Sequence, residues 1–318
     1  MKALVRSKYG SPKVLGIEDI EMPSPSENRV LVKVFATTVN RTDLGILYGT
    51  PYILRIFTGL FKPNLVVTGS DFAGQIVAIG ENVKSFKVGD RVMGFGGVGA
   101  RSHAEYLTFD ENRGMITIPE NISYEEAAAC IEGAFYALNC IKSVNPKPGQ
   151  KAVVNGGTGA IGSVMVQFLK YYGIYVTAVC GNEYMSLVKS LGADKVIDYK
   201  KDDFTKDNEA YDFVFDAVGK SSFSKCKPLL NKNGIYIPSD KFVNLFLALV
   251  THIFGGKKVV FIPPKNLVES LNVIKEIIEK GSFKPVIDRK YSFDKIVEAY
   301  NYVETGEKIG NVIITMDV

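Results

Sequence analysis

Histidine and cysteine are scarce in this chain, and their scarcity removes whole classes of chemistry. Among 318 residues only His103 and His252 are histidines, and only Cys130, Cys140, Cys180 and Cys226 are cysteines. The cysteines show no C-x-x-C spacing and are too sparse for a disulfide scaffold, so neither a redox dithiol nor a stapled secreted domain fits. With a strand-like opening, Met1-Lys2-Ala3-Leu4-Val5, in place of a signal peptide, a reducing, cytoplasmic setting is expected. Both histidines read as surface or hydrogen-bonded side chains.

Charge of one sign is lacking too. Lys and Arg total 38 against 34 Asp and Glu, a net of +4 spread along the chain, so no nucleic-acid partner is expected. Long apolar runs are also missing. The most apolar segment, Phe242 to Phe254, has 13 residues with Asn244, Thr251 and His252 inside it, against the roughly 20 that a spanning helix needs. No integral membrane segment is expected, and this stretch reads as a helix buried in the fold or covered in a homodimer.

What is present is an ordinary globular balance, 46% hydrophobic and 23% charged, at a length that favours two cores. The organising stretch is Val153-Val154-Asn155-Gly156-Gly157-Thr158-Gly159-Ala160-Ile161-Gly162, running into the apolar helical pattern of Val164, Phe168 and Leu169. Gly157, Gly159 and Gly162 have the G-x-G-x-x-G spacing. The first permits a tight strand-to-helix turn, the second lets backbone approach a pyrophosphate, and the third lets helix pack on strand. The helix N-terminus then offers free N–H groups and a positive dipole end to phosphate. A second strand, Tyr175 to Val179, follows in the order that dinucleotide binding requires.

Up to about Asn121 the pattern is short and β-rich, with strands at Arg29 to Val34, Gln75 to Gly80 and Asp90 to Gly94. The period changes at Ser123, which can cap a helix with Glu126 completing a capping box. Strands and helices then alternate through Lys195 to Tyr199, Phe213 to Asp216, Gly234 to Ile237 and Lys258 to Ile262, which predicts a parallel sheet covered on both faces. After a helix from about Asn266 to Lys280, the runs Pro285 to Ile287 and Asn311 to Ile314 resemble the N-terminal part again. The expected organisation is 1–121, a first domain; 122–261, a dinucleotide-binding domain; and 262–318, a return that completes the first.

Five segments in one order carry a family resemblance over essentially the whole length. They are Asn40-Arg41-Thr42-Asp43, Gly69 to Ile76, Phe86 to Val92, the glycine loop, and Ser190 to Tyr199. The chain resembles the zinc-free medium-chain dehydrogenase/reductases of the quinone oxidoreductase branch. The resemblance implies an α/β fold with a GroES-like β domain and an inserted Rossmann domain. Zinc enzymes of the superfamily place a Cys where this chain has Asn40, a His at Ser70 and a further ligand near Ile131. Amide, hydroxyl and aliphatic groups cannot replace these ligands, and Arg91 to Asn121 contains no Cys for the family's structural zinc, so no metal is expected.

Without a Lewis acid a plain aldehyde is hard to polarise. A quinone or an α,β-unsaturated carbonyl asks less, since hydride adds at the soft carbon and hydrogen bonds can hold the enolate oxygen. The expected activity is therefore NADPH-dependent reduction of a small-molecule quinone or enone. A zinc-free alcohol or aldehyde dehydrogenase, and a non-catalytic NADPH-binding sensor or structural protein, stand as alternatives.

NAD enzymes carry an acid about 20 residues past the glycines to bind the ribose 2′-hydroxyl. Here Val179-Cys180-Gly181-Asn182 has none, and Glu183 starts the next helix, so NADPH is expected. By the same resemblance Tyr199 stands at the adenosine end with Lys200 and Lys201 beside it, Val218 and Gly219 at the nicotinamide ribose, and Asn40 and Asn311 near the carboxamide or substrate. Relatives often have Lys at Asn311. Tyr48 and Tyr52 are candidate proton donors or pocket lining.

Overall fold

The computed structural model describes residues 1–52, 55–64, 66–97, 99–239, 243–261, 263 and 265–316. They form two compact units, Met1–Glu132 with Leu267–Glu279 and Ile287–Val318, and Gly133–Asn266 with Lys280–Val286.

In the first unit the long strand Arg29–Val39 is the spine. Its Val30, Val32 and Val34 alternate into a core that also holds Leu4, Phe72, Phe109, Ile296 and Tyr300, as the period of two requires for a half-buried strand. The sheet order is Ile287–Ser292, Asn311–Thr315, Arg29–Val39, Asp71–Ile79, Arg91–Phe95 and Met115–Thr117, with Tyr106–Asp110 also paired to Arg29–Val39. The C-terminal return therefore lies inside this sheet, with Val312 to Thr315 antiparallel to Ala36 to Val39. Register shifts at Leu31/Val32 and Val34/Ala36 interrupt the Arg29–Val39 and Asp71–Ile79 ladder. Such irregularities bend a strand, and the bend precedes Thr37, Thr38 and Asn40. Ser123 and Glu126 close the capping box of the helix Tyr124–Ala129, which packs on Arg29–Val39 within this unit.

The second unit is a six-stranded parallel sheet in the order Lys195–Asp198, Tyr175–Cys180, Lys151–Asn155, Tyr211–Asp216, Leu230–Pro238 and Lys258–Val259. Val153, Val154, Val176, Ala178, Val179 and Val214 are all buried, since helices cover both faces of such a sheet. Lys258–Val259 is shorter than the expected run to Ile262, a residue outside those described.

The apolar helix Val243–Phe254 removes one of the two alternatives for this stretch. It is not buried in its own chain, because Leu245, Phe246, Leu249 and Ile253 are 55–71% exposed. No helix among the described residues is long and apolar enough to cross a membrane.

Candidate functional site

Parallel strands end together, so the glycine loop, Cys180, Tyr199 and Val218 all fall at the carboxyl edge of the second unit's sheet. Ligands bind at this edge in open α/β sheets. Asn155 closes the first strand and donates from Nδ2 to Asp216 Oδ1 at 2.9 Å. The left-handed turn then comes at Gly156, with φ of 88°, one residue before the position that the spacing marks. Gly157 instead meets packing, as a Cβ there would stand 3.1 Å from that of Ala178. Gly162 has no room at all, since its Cβ would lie 2.0 Å from Gly156 O.

Gly159 differs. It caps the helix Ala160–Tyr171, and an added Cβ would meet nothing nearer than Gly156 O at 3.8 Å. Thr158, Ala160 and Ile161 complete the turn, and Ser163 Oγ is buried near the helix start without a hydrogen-bond partner. Open space before a twelve-residue helix, first-turn N–H groups and an orphaned hydroxyl fit a dinucleotide pyrophosphate.

At the next strand end Cys180 is buried and Gly181 follows. Burial, with the Asp198 charge second, pushes the Cys180 thiol up to about 11, so it holds its proton. Beside them Lys200 Nζ donates to Glu183 Oε1 at 2.9 Å, both side chains about half exposed. Tyr199 is 59% exposed. Asp216 Oδ2 accepts from Ser221 N at 2.9 Å and Tyr236 Oη at 3.0 Å, fixing the loop that carries Val218 and Gly219. A cavity of about 260 Å³, lined by Ile161, Met165, Asp216, Ala217 and Pro238 among others, opens beside it.

Asn311 stands on the strand Asn311–Thr315. It belongs to the first unit, where it is buried and donates from Nδ2 to Ala129 O at 3.2 Å.

Asn40 lies in the same unit, at the N-cap of the helix Arg41–Tyr48 and 4% exposed. Its backbone N–H donates to Asp43 Oδ2 at 2.8 Å, its Nδ2 donates to Thr38 Oγ1 at 2.7 Å, and its Oδ1 accepts from Lys308 Nζ at 3.0 Å. Thr38 Oγ1 in turn donates to Asp71 Oδ2 at 2.5 Å. Glu132 accepts from Thr42 Oγ1. On the far side of Thr38, His103 Nε2 meets its carbonyl at 2.9 Å, while Nδ1 meets Thr68 Oγ1 at 2.9 Å and Tyr300 Oη at 3.2 Å. His103 is thus a fully buried hydrogen-bonded side chain.

Burial governs the ionisation of this cluster. It lifts Asp71 to about 7, aided by the Glu132 charge. Asp43 is raised for the same reason, with Glu132 and Asp71 adding, and Glu132 is raised although Thr42, Lys308 and Asn40 favour its charged form. Burial lowers His103 to about 4 and Lys308 to about 8. Asp43 Oδ1, Ser70 Oγ and Glu132 Oε2 are buried without a hydrogen-bond partner.

Sequence reasoning missed Lys308 and Glu132. The resemblance puts a zinc ligand of other members near Ile131, one residue before Glu132, and a Lys of relatives at Asn311, three residues after Lys308. The available signal was a charge directly after the apolar run Ala127 to Ile131. The two tyrosines do not join Asn40. Tyr48 Oη donates to Glu304, and Tyr52 is 73% exposed with its ring centroid 4.8 Å from the Arg55 guanidinium carbon. Among the described residues no group of three or more His, Cys, Asp or Glu is placed to hold a metal ion.

Known proteins share this plan. Residues 26–120 match the model of the alcohol dehydrogenase GroES-like domain, and residues 191–314 that of the zinc-binding dehydrogenases. The chain is 31% identical to quinone-oxidoreductase QR1 of Triphysaria versicolor, over 99% of this chain and 98% of that protein. It is 32% identical to the NADPH-dependent alkenal/one oxidoreductase of Arabidopsis thaliana, over 99% and 79%. The quinone oxidoreductase structure from Coxiella burnetii superposes with a TM-score of 0.90 at 24% identity, over 100% of this chain and 99% of that one. The Escherichia coli quinone oxidoreductase complexed with NADPH gives 0.83 at 21%, over 99% and 100%. This chain belongs to the medium-chain dehydrogenase/reductase superfamily, in its quinone oxidoreductase branch, and is an NAD(P)H-dependent oxidoreductase.

Proposed function

We propose that the protein reduces quinones or α,β-unsaturated carbonyls with NADPH and without zinc. The observation that carries this reading is the Asn40 amide, hydrogen-bonded where zinc relatives have a metal ligand and accompanied by Ser70 and Ile131, none of which suits zinc. The names of the Triphysaria and Arabidopsis relatives agree with it.

Bound NADPH supplies a hydride. This chain's part is to orient the acceptor and hold the oxygen on which charge collects. Asn40 gives one amide N–H to Thr38, and its amide also favours the charged form of the Glu132 carboxyl, so a substrate oxygen would compete with Glu132 for the second N–H. The glycine loop takes the pyrophosphate, Tyr199 the adenosine end, and Val218 and Gly219 the nicotinamide ribose. The absence of a carboxylate at Cys180 favours the 2′-phosphate. The exposed apolar face of Val243–Phe254 supports a homodimer, which light scattering at micromolar concentration tests.

The functional test is NADPH oxidation across quinones, enals and enones, beside simple alcohols and aldehydes. Asn40→Ala should lower turnover about 10²-fold, the usual cost of a lost oxyanion donor, with cofactor affinity kept. Oxidation of alcohols alone, or cofactor binding with no turnover, would each replace this reading with one of its alternatives.

A further inference from the structure

We propose that Lys308 is a second hydrogen-bond donor, and the local positive charge, for the substrate oxygen that Asn40 addresses. This rests on the reductase reading above. A lysine ammonium has three N–H donors and no acceptor. Two are directed to Asn40 Oδ1 at 3.0 Å and Gly310 O at 2.6 Å. That leaves a third beyond these two bonds.

Because lysine can only donate, it also fixes which way the Asn40 amide faces. Oxygen turns to Lys308 and nitrogen to Thr38 Oγ1, whose hydroxyl passes on to Asp71. Every donor in this chain points the same way, so each bond polarises the next and strengthens Asn40 as a donor. A cation thus stands directly beside an amide, inside a cluster where, among the described residues, no group of three or more His, Cys, Asp or Glu is placed to hold a metal ion. A metal ion and a lysine ammonium have in common the charge that a developing oxyanion needs.

The charged groups around Lys308 come from three other elements. Glu132 at the start of the helix Glu132–Val144, Asp43 on Arg41–Tyr48 and Asp288 on Ile287–Ser292 favour the ammonium, while Arg41 opposes it. Glu132 keeps one carboxyl oxygen without a partner. Lys308 is only half-buried as a residue, so water can renew its proton. Burial brings its acidity to about 8, near neutrality.

The step balances. A bound reduced nicotinamide would supply the two electrons and one hydrogen as hydride, to the β-carbon of an enone or to a quinone, and negative charge would then collect on the carbonyl oxygen beside Asn40 and Lys308. The Lys308 N–H bond breaks, the proton bonds to that oxygen, and the neutral amine takes a proton from water. An enol so formed becomes the ketone by protonation at carbon from solvent.

The experiment compares wild type, Asn40→Ala, Lys308→Met and Lys308→Arg on one enone and one quinone. Lys308→Met should lower kcat about 10²-fold, leave NADPH affinity unchanged by fluorescence titration, and abolish the basic limb of the kcat profile near pH 8. In the protein without cofactor, carbon NMR of labelled lysines should show one ε-carbon titrating near pH 8 and missing from Lys308→Met. Full kcat in Lys308→Met, beside a loss in Asn40→Ala, overturns the role of Lys308 and leaves the reductase reading standing. No loss in either variant, or no turnover by wild type, overturns both. Should Lys308→Met not fold, Lys308→Arg decides, because a guanidinium does not titrate there and must move the basic limb upward; an unmoved limb overturns the proposal.

Discussion

The two units build their candidate sites by opposite means. In the second, the carboxyl edge of the sheet works through missing side chains: Gly159 leaves space, Gly156 takes a left-handed turn, and Gly162 lets the helix press on the turn. In the first, the Asn40 cluster works through side chains that constrain one another. Asn40, Thr38, Asp71, His103 and Lys308 are joined by hydrogen bonds whose sequence separations reach 268 residues. A backbone site tolerates change wherever there is room, whereas a networked site depends on every partner.

That contrast explains what could be read in advance. The glycine loop, the parallel sheet and the C-terminal return were legible, because spacing and period are local properties of the chain. Even there the turn falls at Gly156, since Asn155 is held in the strand by Asp216. The Asn40 cluster was legible only at Asn40, through resemblance. Lys308 and Glu132 carry no motif, and only the fold brings them together. Tyr48 and Tyr52 were named through resemblance, as proton donors or pocket lining; in the fold Tyr48 meets Glu304 and Tyr52 meets Arg55.

The sharpest way to break the comparison is at the glycines. Gly162→Ala forces a Cβ to 2.0 Å from a backbone oxygen, so it should destabilise the second unit by roughly 3 kcal/mol, the upper range for overpacking, and abolish NADPH binding. Gly159→Ala should leave the melting temperature nearly unchanged and weaken NADPH alone. Equal losses of stability in both would show that Gly159 is needed for packing rather than for approach of the ligand.

The network makes a second prediction, of similar size, through pH. His103 stays neutral in the fold down to about 4, while an unfolded histidine takes its proton near 6.5. Between these values the unfolded state binds more protons, so stability falls as pH falls, by about 3 kcal/mol in all. Asp71 has the opposite sign: its folded value of about 7 lies above 3.8, and its contribution is lost as pH rises from about 4 to 7. Relative to His103→Gln, wild type should lose stability on acidification from pH 6.5 to 4; relative to Asp71→Asn, it should lose stability on going from pH 4 to 7. Urea unfolding at several pH values measures both. Parallel slopes would mean that the two groups do not differ in ionisation as their burial demands.

A smaller effect belongs to the open edge. The Glu183–Lys200 pair is exposed, and such pairs are weak and screened. Glu183→Gln removes a negative charge near the end of Tyr175–Cys180 and releases Lys200, so the NADPH-to-NADH affinity ratio should rise by about fivefold or less. Lys200→Gln should lower it. A ratio that moves in neither variant would place the 2′-phosphate elsewhere than beside this pair.

Tyr52→Phe should have the smallest effect. Its ring stands over Arg55 and is 73% exposed, and phenylalanine keeps the ring face that the cation meets. Away from a buried network, loss of one hydroxyl should change stability by less than about 0.5 kcal/mol and turnover by less than about twofold on enones and quinones alike. The comparison between substrates carries the information. An enone needs a proton at carbon, whereas the oxygens of a reduced quinone exchange with water. If Tyr52→Phe slowed enones much more than quinones, the proton at carbon would come from this exposed segment and not from solvent. Equal effects would leave the proton at carbon with water and that at oxygen with Lys308, and would give Tyr52 no part in either.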